Sequence, residues 1–160
     1  MKRVLFLFIL LILATTAYAA PPTMDNALTW GTTHGEYFEA NVNLGPRWAF
    51  DYADRHIDRF GSVQQGVFRY QLTPCVSAFA GYSTTTGILY FASGGFTLQA
   101  PIGKAVLYAS YDYSAWTRDY EIGLAFPIFP HVYAFIDHNE YRIADKVRMK
   151  GYGGGLQYRF

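Results

Sequence analysis

The chain ends on K-G-Y-G-G-G-L-Q-Y-R-F, Lys150 to Phe160, and this stretch limits the fold more than any other. Successive side chains of an extended strand point to opposite faces. Phe160, Tyr158, Leu156, Gly154 and Tyr152 therefore share one face, and Arg159, Gln157 and three glycines share the other. A soluble sheet at a free C-terminus turns its apolar face to a core and its polar face to water. Here the apolar face ends in aromatics and is backed by Arg and Gln, which suits a wall between lipid and a polar interior.

The same period of two recurs upstream. Phe38, Ala40, Val42 and Leu44 alternate with Glu39, Asn41 and Asn43, and Trp48, Phe50 and Tyr52 alternate with Ala49 and Asp51. Phe68, Tyr70 and Leu72 oppose Arg69 and Gln71, and Leu107, Ala109 and Tyr111 oppose Tyr108, Ser110 and Asp112. Tyr120, Ile122, Leu124 and Phe126 oppose Asp119, Glu121 and Gly123, while the faces of His131 to Tyr141 are less distinct. Proline-bearing short turns fall at Gly45-Pro46, Pro74, Pro101 to Gly103 and Pro127 to Pro130. The stretches Asp54 to Gly61 and Arg142 to Met149 read as longer, charged loops on the opposite end. Eight strands fit between Arg47 and Phe160, residues 36–44 make a ninth, and Leu28 to Thr33 completes an even number. The pattern predicts an all-β, transmembrane, antiparallel up-and-down β-barrel of ten strands, with eight as the alternative. Nothing after the first twenty residues is apolar enough for a spanning helix, and a closed barrel is the other way to pair every backbone group inside a bilayer.

Met1-Lys2-Arg3, an apolar run from Val4 to Ala14 and the small pair Ala17 and Ala19 predict a secretory signal peptide over residues 1–19. The mature chain, residues 20–160, is one domain by length. Removing Lys2 and Arg3 from thirteen basic residues leaves eleven against twelve acidic ones, which excludes the strongly basic face of a nucleic-acid binder. Cys75 is the one cysteine, so no disulfide can form within the chain and the turn thiol is read as a bystander.

A final strand of alternating apolar residues with a terminal Phe resembles the closing strand of Gram-negative outer-membrane β-barrels. The G-x-x-Y-R-F ending is similar to that of small barrels of the opacity and attachment-invasion type. The resemblance implies an outer-membrane location, with Tyr152, Leu156, Tyr158 and Phe160 as the insertion signal met by the barrel-assembly machinery. It also implies a monomer surrounded by outer-membrane lipid and lipopolysaccharide, without a cofactor. The function expected is that of a non-enzymatic surface or envelope-stabilising protein.

Glu39, Asp51, Arg69, Asp112, Glu121 and Arg159 fall on inward positions, where opposite charges can pair and plug a narrow lumen. A strand tilted about 45° climbs roughly 2.4 Å per residue, so an apolar band of about 25 Å takes about ten residues. Counting back from Phe160 reaches Lys150, with Arg148 and Lys146 beyond it, and Arg118 lies beyond Tyr120 on a neighbouring strand. These four cations form a candidate rim for lipopolysaccharide phosphates.

The runner-up function is a lipid A-modifying hydrolase. Asp137, His138 and Glu140 gather acid and base groups, and the late-strand His resembles that of lipid A deacylase barrels. Those enzymes use a nearby Ser, and the residue two after His138 is Glu140. Asp54-x-His56-x-Asp58 alternates three possible ligands, but it reads as a solvated loop, and no metal site is expected. Gly151, Gly153, Gly154 and Gly155 precede no helix, so they lack the context of a phosphate loop and read as curvature at closure. A soluble exported barrel that binds a small ligand would need polar outward faces.

Overall fold

The computed structural model describes residues 25–32, 35–57, 61–85, 88–143 and 147–160. The expected signal peptide lies outside them. Ten strands follow one another: β1 (Ala27–Thr32), β2 (Glu36–Gly45), β3 (Trp48–Ile57), β4 (Gly61–Thr73), β5 (Val76–Thr85), β6 (Ile88–Ile102), β7 (Ala105–Ser114), β8 (Thr117–Phe129), β9 (Val132–Ile143) and β10 (Val147–Arg159). Each pairs antiparallel with its chain neighbours, and β1 closes on β10, so the sheet is an up-and-down barrel without an end strand. Ala27 pairs with Arg159 and Thr32 with Gly154 at this seam, and the Phe160 amide donates to the Asn26 carbonyl at 2.9 Å. The ten-strand reading holds, and the eight-strand alternative does not.

The stretches read as charged loops are mostly strand. β3 continues to Ile57, β4 begins at Gly61, β9 continues to Ile143 and β10 begins at Val147. Antiparallel pairing is made by the backbone, so the ladder runs past the last apolar side chain without needing another. Connections at one end are two residues long, and those at the other are two or three, so loop length does not distinguish the ends. Two of the tight turns take left-handed backbone, Gly103 at φ 62° and His131 at φ 65°.

Side chains sort by parity. Asp51, Val67, Ser77, Ser93, Thr97, Asp119, Phe135 and Asn139 are buried inward, whereas Trp30, Trp48, Phe68, Phe96, Ile122, Leu156 and Tyr158 are exposed outward. β7 reverses the rule because it pairs residues of opposite parity on both sides, Gly95 with Asp112 and Asp112 with Asp119. No large side chain is fully buried among the described residues, while two dozen large apolar ones are exposed.

The inner wall is fitted by rings laid over glycines. A Cβ at Gly95 would lie 2.8 Å from the Phe79 ring, at Gly123 2.4 Å from Tyr108, at Gly155 2.7 Å from Phe135 and at Gly31 2.8 Å from Tyr37. Every one of these rings is the glycine's direct cross-strand partner. Each ring takes up the space that a side chain would fill on the facing strand.

Candidate functional site

Chemistry concentrates in the lumen and in an outward patch where β8, β9 and β10 approach the loop end. In the lumen, Asp51 is 4% exposed, and a buried carboxylate requires partners. Arg69 donates from Nε to Asp51 Oδ2 at 2.6 Å, and its Nη1 donates to Thr97 Oγ1 at 2.8 Å and Ser77 Oγ at 3.2 Å. The Asn41 amide also donates to Asp51. One guanidinium thus ties β3, β4, β5 and β6 along the wall.

Arg55 does something different. Its Nη1 donates to Asp119 Oδ2 at 2.5 Å and its Nη2 lies 4.0 Å from Glu121, both on β8. β3 and β8 are five strands apart in either direction around the ring, so this contact crosses the whole lumen. Tyr37 lies below the guanidinium at 5.7 Å, and the Asn139 amide donates to Asp119. Gln65 reaches from β4 to Asp112 on β7 and to Ser93 Oγ at 3.1 Å. Toward the termini, Arg159 stacks 3.9 Å from the Tyr133 ring and donates to Gln157 at 2.8 Å.

Among these groups lies a cavity of about 260 Å³. Glu39, Asp51, Arg69, Asp112, Glu121 and Arg159, the six expected lumen residues, all line it, together with Arg55 and Asp119. Hydrogen bonds and ion pairs gather them into an Asp51–Arg69 group and an Arg55–Asp119–Glu121 group, and the Glu39 carboxyl lies within electrostatic reach of both Arg69 and Arg55. Arg55 escaped the sequence reading because D-R-H-I-D-R looks like loop. The continuing inward set Ala53, Arg55 and Ile57 was the signal for it.

Outside, Glu140 is the centre of the patch. Arg142 reaches Glu140 Oε1 at 2.6–2.7 Å and Lys150 Nζ lies 2.9 Å from Oε2. Arg142 also covers the Tyr120 ring at 5.9 Å, and Arg118 covers Tyr113 at 5.5 Å. Register puts Arg118, Arg142 and Arg148 in one row across three strands, and Tyr120, Glu140 and Lys150 in the next. Arg142 was missed because its stretch was read as a loop. Lys146 lies outside the described residues.

One row deeper, His138 sits between Ile122 and Tyr152, with its ring 4.8 Å from the tyrosine. No partner meets its Nδ1 among the described residues. Asp137, next in sequence, points to the lumen and is 5% exposed. The strand pleat therefore separates it from His138 and Glu140, and the acid–base cluster is not assembled. Asp54 accepts a hydrogen bond from Gln64 at 3.2 Å, and Asp58 lies outside the described residues. Among the described residues no three His, Cys, Asp or Glu side chains converge as metal ligands.

No protein-family model, curated protein or solved structure matches the chain. Tyr152, Leu156, Tyr158 and Phe160, the expected insertion signal, are all exposed on the outward face of β10. Tyr158 and Phe160 stack at 5.8 Å.

Proposed function

We propose that the protein is an integral outer-membrane β-barrel of Gram-negative type, exported by a cleaved signal peptide and serving as a non-enzymatic surface or envelope-stabilising protein. The observation that carries this reading is the inverted dressing of the wall. Large apolar residues such as Phe68, Leu72, Ile136 and Tyr152 are more than half exposed, whereas Asp51, Asp119 and Asp137 are buried. In water such an exterior is far larger than the apolar patches that monomers tolerate, and in lipid it is the expected outer surface.

On this reading the barrel is a monomer with a polar, plugged interior, and its terminal strand is handed to the lipid by the barrel-assembly machinery. Lipopolysaccharide phosphates are met by Arg118, Lys146, Arg148 and Lys150, because charge-assisted contacts to phosphate are strong at a partly dehydrated surface. The test is cell fractionation with gel electrophoresis of boiled and unboiled samples. Recovery in the outer-membrane fraction with faster migration before boiling is expected. Recovery as a soluble protein without a heat shift refutes it. Replacing Arg118, Lys146, Arg148 and Lys150 by Gln lowers the lipopolysaccharide retained in detergent, and lipid A acyl composition is unchanged by expression of the protein.

A further inference from the structure

The lumen is divided rather than filled. Beyond the cavity of about 260 Å³ lies a second, of about 20 Å³, which Ile57, Asp137, Asn139 and Tyr141 help to line. Tyr37, Arg55 and Glu121 line both. The wall between the two spaces is therefore the Arg55 bar with the tyrosine beneath it. The larger space reaches the two-residue turn that carries Pro74 and Cys75, at the end where Asn26 and Phe160 meet. Its volume equals that of roughly nine liquid waters.

Such a space is expected of ten strands. Eight leave an interior that side chains just fill, and more strands widen it. The rings of Phe79, Tyr108 and Phe135 take the space beside Gly95, Gly123 and Gly155, and Tyr37, over Gly31, lies under Arg55. Across the middle Arg55 reaches the opposite wall at 2.5 Å, with the Tyr37 ring beneath it at 5.7 Å and Glu121 beside it. It is also poised to exchange partners, since Asp119 and Glu121 both lie within 4.0 Å of its two terminal nitrogens. Around it the described strand residues that line the two spaces include six carboxylates, Glu39, Asp51, Asp112, Asp119, Glu121 and Asp137, against Arg55, Arg69 and Arg159.

We propose that the barrel is a latched pore for small inorganic cations, held shut by the ion pair between Arg55 and Asp119 with Glu121. The proposal rests on the membrane reading above but is independent of the lipopolysaccharide patch. Swinging Arg55 back along β3, with the Tyr37 ring that it covers free to turn, joins the two spaces, and the excess of carboxylates makes the path favour cations.

The test is conductance of potassium chloride through the full mature protein in planar bilayers. Wild type is expected to be closed for most of the record. Arg55→Ala raises the time-averaged conductance at least tenfold, with a reversal potential under a salt gradient that favours potassium over chloride. The exchanged pair, Arg55→Asp with Asp119→Arg, returns the record to the closed level. Asp119→Asn with Glu121→Gln is the second opening variant, since it removes the acceptor charges at nearly constant shape. An opening variant that shows the heat-dependent gel shift but conducts no more than wild type overturns the latch, as does an exchanged pair that stays open. A wild-type chain with neither gel shift nor bilayer incorporation instead overturns the membrane reading, and the pore with it.

Discussion

Leu98 and Gln99 are consecutive on β6 and face opposite ways, which makes them a sharp test of what surrounds the barrel. Leu98 is 38% exposed outward, and Gln99 lines the cavity. The outward apolar positions of this strand run from Tyr90 to Ile102, with Phe96 at their midpoint. At about 2.4 Å per residue, Leu98 sits roughly 5 Å from the middle of the band. An arginine at that depth on a lipid-facing position costs about 2–3 kcal/mol. The same arginine at Gln99 enters a lumen in which carboxylates outnumber guanidiniums, and its cost stays within about 1 kcal/mol because lumen positions carry polar groups by design of the wall. Urea titration of the refolded barrel in lipid vesicles, followed by the fluorescence of Trp30, Trp48 and Trp116, measures both. Leu98→Arg should lose about 2 kcal/mol more than Gln99→Arg, a factor of up to about 30 in the folding equilibrium. Equal losses, or a larger loss at Gln99, would mean that Leu98 faces water, and the membrane assignment would fall.

Gly123→Ala brings a Cβ to 2.4 Å from Tyr108 and 2.8 Å from the Ile136 carbonyl, and the backbone atom cannot swing away. A loss of about 1–3 kcal/mol is expected in the same titration, as for other overpacked sites. Asp51→Ala leaves the Arg69 guanidinium, 19% exposed, without its carboxylate and costs about 3–5 kcal/mol; the double change with Arg69→Met costs less than the two singles combined, read from a double-mutant cycle. At the outward patch, Arg142→Gln weakens lipopolysaccharide retention whereas Glu140→Gln strengthens it, because the carboxylate competes with phosphate for Arg142 and Lys150. N-terminal sequencing of the exported protein should begin at Ala20.

The faces of β2, of β3 as far as Ala53, and of β5 to β8 were legible because apolar residues recur at every second outward position over most of their length. β9 was not, for a physical reason: its outward row turns from Ile136 to His138, Glu140 and Arg142, while its inward row keeps Phe135 and Tyr141. Polarity inverts along a single strand, and a pattern based on hydrophobicity loses its contrast where the apolar band ends. The same inversion at Asp54 and His56 hid Arg55. The glycine–ring pairs were hidden differently. Gly95 and Phe79, or Gly155 and Phe135, become partners only through hairpin register, and register follows from turn boundaries that composition does not resolve.

The two main lumen ion pairs differ in what they span. Arg69 binds neighbours along one wall, and its carboxylate partner is only 5% exposed in the side chain, so its loss strands a charge within the packed staves. Arg55 is 29% exposed and joins opposite walls that are already fixed by ten backbone ladders. Removing Arg55 leaves Asp119, 11% exposed in its side chain, without its guanidinium, as removing Asp51 leaves Arg69 without its carboxylate, so each single change lowers stability by about 3–5 kcal/mol. Arg55→Ala also removes a group that spans the axis, whereas Asp51→Ala leaves the cross-bar in place. Because the walls are held by their own ladders, Arg55 and the Tyr37 ring beneath it can move without unpairing a strand, which is the condition that a latch across the lumen has to meet.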